Sequence, residues 1–149
     1  MAALARSTMT EFRWLMTVPA GVAVWFLVLF TGIFATAILD VFCPPELIVS
    51  GSCTASWYQP ALEAVVAIFT GISALGVVLA PALVAPSKRR MVAWVAFFIG
   101  LASATAMFIP DPSLTVWPYA ASVFGGLVGL YIAGRIWPKD GTAVERFTA

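Results

Sequence analysis

Cys43 and Cys53 are the only cysteines in this 149-residue chain, and no other pair of residues commits so clearly to covalent chemistry. They bracket a short segment rich in Pro, Ser and Gly, where an oxidising compartment would join them as a disulfide. Closing a loop of about ten residues stabilises a fold by on the order of 2–3 kcal/mol on the chain-entropy account. Two unpaired buried thiols are the plainer alternative. Redox catalysis has less support, because there is no C-x-x-C motif and no second pair to relay electrons.

The remaining chemical inventory is sparse. There is no histidine at all, which excludes bis-His or His-Met haem ligation by this chain, removes the commonest zinc or copper ligand, and rules out a Ser-His-Asp triad. No catalytic residue and no metal site is therefore assigned, and no cofactor is expected on the chain's own ligands, although contact with a lipid or quinone remains open. No phosphate-cradling glycine loop is present. Among carboxylates only Glu63 falls close to an apolar run; near a helix start it would offset the positive end of the helix dipole. Proton or cation uptake through Glu63 is the sharper but less supported reading.

These residues must be held by elements made for hydrocarbon. Hydrophobic residues make up 62% of the chain and charged residues 10%, the reverse of what water demands. The stretches Trp14 to Leu39, Ala64 to Ser87, Met91 to Pro110 and Pro112 to Gly134 contain no Asp, Glu, Lys or Arg. A bilayer core of about 30 Å needs roughly 20 helical residues, and these runs do not alternate as membrane strands do. The expected fold is all-α, a single domain of four transmembrane helices at about 14–39, 60–85, 91–109 and 114–137. Two short outer loops follow from this, at residues 40–59 and around Pro110-Asp111-Pro112-Ser113. Proline is acceptable near the helix starts at Pro19, Pro60 and Pro118, while Pro81 and Pro86 predict a kink or fray at the end of the second helix.

Orientation follows from the basic residues. Arg6 and Arg13 precede the first span, Lys88, Arg89 and Arg90 join the second to the third, and Arg135, Lys139 and Arg146 follow the fourth. All eight fall on one side, so the net charge of +1 conceals a strong asymmetry. The positive-inside rule places both termini in the cytoplasm, and a bacterial inner membrane is the expected location. Ala35-Thr36-Ala37 imitates a signal cleavage site, but the apolar run before it exceeds the usual length of about 7–15 residues and is expected to be a retained helix. Trp57, Tyr58, Trp117 and Tyr119 would mark the outer interface, and Trp14, Trp94 and Trp137 the inner one. Trp25 falls inside the membrane, as core filler or facing lipid. The basic inner turn is explained by topology without nucleic acid, and Lys88 to Arg90 could contact anionic headgroups.

Small residues form the clearest pattern inside the spans, since close helix approach in lipid depends on side chains that leave room. Ala121, Gly125, Gly129 and Ala133 recur every four residues on the fourth helix, with Ser122, Gly126 and Gly134 widening the stripe. Val92, Ala96, Gly100 and Ala104 trace a similar line on the third, so these two helices are expected to pair. A Phe-x-Gly-aliphatic tetrad recurs once per span around Gly32, Gly71, Gly100 and Gly126, which reads as tight helix association and not as duplication.

Several small four-span families carry features that this sequence lacks. Small multidrug transporters place a carboxylate in the first helix; disulfide-forming quinone reductases resemble this chain in topology but not in cysteine arrangement; claudin-like proteins have a longer first loop with a Trp-Gly-Leu-Trp motif. The expected role is a non-catalytic accessory or assembly subunit packing against other integral membrane subunits of a larger, energy-transducing or cofactor-containing complex, with Glu63, Trp57 and Trp117 as outer-surface contacts. The alternative is a small homo-oligomeric channel or carrier for an apolar or neutral solute, lined by Thr31, Thr36, Thr70, Ser73, Ser103 and Thr105. Hydroxyls in such helices often bond their own preceding turn, which would leave no polar path.

Overall fold

The structure is a computed structural model that describes residues 11–109 and 116–137. The expected Pro110 to Ser113 turn, and with it Asp111, Arg6, Lys139 and Arg146, lies outside the described residues. Four helices are long and apolar enough to cross a membrane: α1 (Thr17–Val41), α2 (Tyr58–Val84), α3 (Arg89–Phe108) and α4 (Val116–Ile136). They make this a multi-pass membrane protein. Between α1 and α2 lie a 3-10 turn (Pro45–Leu47) and a two-stranded hairpin of β1 (Ile48–Val49) and β2 (Ser52–Cys53).

Proline sets the helix limits. Residues 11–15 are already helical, and the break at Met16 comes where Pro19 removes the amide that Leu15 would receive and crowds its carbonyl. At the far end α1 runs past Leu39 and takes Asp40 into its last turn, where the carboxylate accepts a hydrogen bond from the Tyr58 hydroxyl. Pro81 sits within α2, which continues through it and ends at Val84. The helix stops there because Ala85 precedes Pro86 and is forced extended, at φ −55° and ψ 130°. Lys88 then takes a left-handed conformation, φ 51°, that turns the chain directly into α3, so Arg89 and Arg90 are helical and not part of the turn.

α2 is the hub. α1 packs along one side of it, α4 and α3 along others, and α1 has no extended contact with either α3 or α4. The α1–α2 pair is antiparallel, with Gly21 opposite Pro81 and Gly32 opposite Phe69. The α2–α4 pair is parallel: as α2 advances from Gly71 to Val78, its partner on α4 advances from Ala121 to Gly129. In a square up-and-down bundle these helices would be diagonal. Here they touch.

That contact corrects the expected pairing of small-residue stripes. Ala121, Gly125 and Gly129 of the α4 stripe face α2, while Gly126 and Ala133 of the same stripe also meet α3. A Cβ at Gly125 would overlap the Gly71 carbonyl oxygen and stand 2.8 Å from its carbon and 3.0 Å from its Cα, and one at Gly71 would stand 3.2 Å from the Ala121 carbonyl oxygen. At Gly125 only hydrogen fits between these backbones. Gly100, expected at a helix seam, has nothing within 4 Å of its Cβ position and faces open space. α3 meets α4 instead through Phe97, whose ring lies against Gly126, and a small core of Val78, Ala82, Ala93, Phe97 and Ala133 joins α2, α3 and α4.

Two substitutions separate these environments. Gly125→Ala should lower stability by about 1–3 kcal/mol through forced separation of α2 and α4. Gly100→Ala should change it by less than about 0.5 kcal/mol. Reversible unfolding in detergent micelles measures both; equal effects would contradict the assignment of the seam.

Candidate functional site

At the acidic end of the bundle the hairpin forms a compact cap. Ser50 and Gly51 both adopt positive φ, 53° and 81°, the pattern of a type I′ two-residue turn whose twist matches the paired strands. Cys43 and Cys53 are bonded, with Cα atoms 6.0 Å apart. The Thr54 amide and hydroxyl both donate to the Leu47 carbonyl at 2.9 and 2.8 Å, closing the loop a second time. The cap is apolar outside: Phe42, Ile48, Val49 and Trp57 are all exposed. Glu63 accepts a hydrogen bond from the Gln59 side chain at 3.0 Å, one turn earlier on α2. Trp57 stacks edge-on to Tyr58, and Trp117 is exposed in the first turn of α4.

The basic end is built around the carbonyls that α2 leaves without helical partners. Arg13 donates from Nε to the Val84 oxygen at 3.2 Å, and Arg89 donates from Nε to the Ala85 oxygen at 3.1 Å. Two cations thus sit at the negative end of the α2 dipole, where their charge and their N–H groups both stabilise. The Arg89 guanidinium also lies over the Trp137 ring, 5.4 Å from its centre, which ties the end of α4 to the start of α3. Arg135 donates to the Tyr131 hydroxyl at 3.1 Å. The side chains of Lys88 and Arg90 make no hydrogen bond or ion pair among the described residues.

Because α1 and α3 have no extended contact, an open cleft of 590 Å³ lies between them, with α2 and part of α4 as its floor. Val18, Gly21, Val22 and Trp25 form the α1 wall, and Gly100 and Ala104 belong to the α3 wall. A smaller cleft of 230 Å³ lies between α1 and α2, and Trp25 lines both. Among the described residues no ionisable side chain lines either cleft.

Of the six hydroxyls of the channel reading, Thr36, Thr70 and Ser73 line the smaller cleft and Thr70, Ser73 and Ser103 the larger. Thr31, Thr36, Thr70, Ser103 and Thr105 each donate to a carbonyl three or four residues earlier in their own helix. Ser73 alone of the six has no such bond; it lines both clefts. Among the described residues no group of three or more His, Cys, Asp or Glu side chains comes together to hold a metal ion. Of the residues singled out from sequence, Gly71, Ala121, Gly125 and Gly129 meet at the α2–α4 seam, Gly32 rests on Phe69, Gly126 on Phe97, and Gly100 faces the larger cleft. The basic-end clamp and the cleft had no sequence signal of their own.

No family model, curated protein or solved structure matches this chain. Its geometry carries the functional reading.

The cap yields a direct prediction. Reduction of the disulfide, or the double substitution Cys43→Ser with Cys53→Ser, should lower stability by on the order of 2–3 kcal/mol. Unfolding of the purified chain with and without reductant reads this value; no difference would mean that the hairpin stands without its bond.

Proposed function

We propose that the protein is a non-catalytic accessory or assembly subunit, packed laterally against a larger integral membrane partner. In this reading it lies in a bacterial inner membrane with both termini in the cytoplasm and the disulfide-closed cap outside. The observation that carries it is the single-sided attachment of α1. One face of that helix is held by α2 alone, while Phe26, Phe30 and Phe34 recur every four residues and are 45%, 65% and 68% exposed. The Phe26 and Phe30 rings stack with centroids 6.2 Å apart. Helix association in lipid depends on such contacts between shaped surfaces, since there is no water to expel. The orientation rests on the clustering of Arg13, Lys88, Arg89, Arg90 and Arg135 at one end of the bundle.

The channel or carrier reading has less behind it. Five of its six hydroxyls are spent on their own helices, and the clefts open sideways between helices instead of running through the bundle.

Purification of the tagged chain from its own membranes in mild detergent tests the proposal. One larger membrane protein should copurify in fixed ratio, and Phe26→Ala with Phe30→Ala and Phe34→Ala should release it while the chain itself stays folded. A homogeneous chain that transports solute alone in liposomes would overturn the subunit reading. For the orientation, a membrane-impermeant thiol reagent applied to intact cells after mild reduction should reach Cys43 and Cys53.

A further inference from the structure

We infer that the disulfide-closed hairpin is a membrane-surface anchor, with Ile48 and Val49 of β1 seated in the bilayer at the boundary between lipid headgroups and acyl chains. The inference holds whether or not the chain joins a complex. Depth, backbone chemistry and side chains each point to it.

Depth follows from which residues stand opposite each other. Gly71 of α2 is level with the Ala121 to Gly125 turn of α4, and Gly32 and Gly21 of α1 are level with Phe69 and Pro81 of α2. On that register Val116, the first residue of α4, stands level with Ala64 of α2 and Ala37 of α1, counting about 1.5 Å per residue in each helix. α3, with 20 residues, and α4, with 21, are each about 30 Å long, the thickness of a hydrocarbon core. Lys88, Arg89 and Arg90 mark one border of that core, because charge is costly inside it, so the other falls near Phe108 and Val116. Ile38 to Val41 of α1 and Tyr58 to Glu63 of α2 overshoot this second border by about 6–9 Å. A headgroup layer is roughly 5–8 Å deep on each side, so both roots of the cap lie in it. The hairpin is held close to the same level, since Cys43, two residues past α1, is bonded to Cys53 of β2 with Cα atoms 6.0 Å apart.

The backbone leading into β1 makes little demand on water. Pro44 and Pro45 carry no amide hydrogen, the Leu47 amide donates to the Pro44 carbonyl at 2.9 Å, and the Ile48 amide donates to the Pro45 carbonyl. A chain that approaches acyl groups must have its polar backbone satisfied in this way.

Side chains divide along the ribbon. β1 is Ile48-Val49 and β2 is Ser52-Cys53, so one strand is apolar and its partner is not. Ile48 and Val49 are 48% and 59% exposed. Phe42, at the foot of the cap, is exposed and extends the four-residue series of Phe26, Phe30, Phe34 and Ile38, so the apolar surface of the span continues into the cap. From Val41 to Leu62 the only charged residue is Glu46. With no Lys or Arg in the cap, the attachment is apolar and not an attraction to anionic headgroups. Glu46 keeps the hairpin from sinking below the headgroups.

The test uses the full oxidised chain with labelled isoleucine methyls in nanodiscs of phosphatidylcholine, read by nuclear magnetic resonance. Ile48→Val removes one methyl signal and so assigns it, and Ile99, exposed at mid-span on α3, gives the lipid-facing reference. A lipid with a nitroxide near the top of its acyl chain should broaden the Ile48 signal at least about threefold more than a water-soluble gadolinium chelate does, as insertion at the headgroup boundary requires. Replacing part of the phosphatidylcholine by phosphatidylglycerol should leave that ratio unchanged, and Val49→Asp should reverse it while the Ile99 signal keeps its own ratio. Stronger broadening of Ile48 by the chelate would overturn the inference and leave the apolar cap for a protein partner. A ratio that changes with phosphatidylglycerol, or one that survives Val49→Asp, would also overturn it, because the anchor is neutral and rests on β1.

Discussion

Backbone contact between α2 and α4 is the constraint on which the rest of the arrangement depends. Two parallel spans of an up-and-down chain meet at Gly71 and Gly125 so closely that Gly125 has no room for a methyl group and Gly71 could take one only if Ala121 gave way. Once that diagonal is closed, α3 can still lie in the angle between α2 and α4, where Phe97 fills the space over Gly126. α1 cannot reach either of them in an extended way and is left on α2 alone. The open cleft is what remains between α1 and α3.

Each end of the bundle then has its own lock. At the basic end, Arg13 and Arg89 occupy the carbonyls that end α2, and Trp137 lies under Arg89. At the acidic end, Asp40 receives the Tyr58 hydroxyl across the loop that Cys43 and Cys53 close. These contacts hold α1 to the start and end of α2 without filling the space along its length. Among the described residues neither cleft is lined by an ionisable group, and both are lined mainly by apolar side chains.

Much of this was legible in the residues. Charge-free runs located all four spans, because burying a charge in hydrocarbon is costly enough to mark each boundary. The helix limits shifted by one to three residues: α1 took in Asp40, which receives the Tyr58 hydroxyl, and α2 stopped one residue short at the pre-proline Ala85. The small-residue stripe of α4 was visible, but its partner was not. Small residues permit close approach without specifying to what, and Gly100 carried the same signal as Gly71 while facing empty space. The cleft was illegible for a related reason: it is bounded by ordinary apolar residues from separate helices and exists only because two helices have no extended contact. Likewise, nothing in the composition around Arg13 marked it as a cap for a carbonyl seventy-one residues away.

The central claim is that α2 and α4 form the rigid centre and α1 is an attached helix. Single-molecule force applied to the two chain ends in bicelles sets the terminal helices α1 and α4 in direct competition. α1 should leave first, in a separate low-force step, with α2, α3 and α4 unfolding together at higher force. Departure of α4 before α1, or one step for all four helices, would contradict the account.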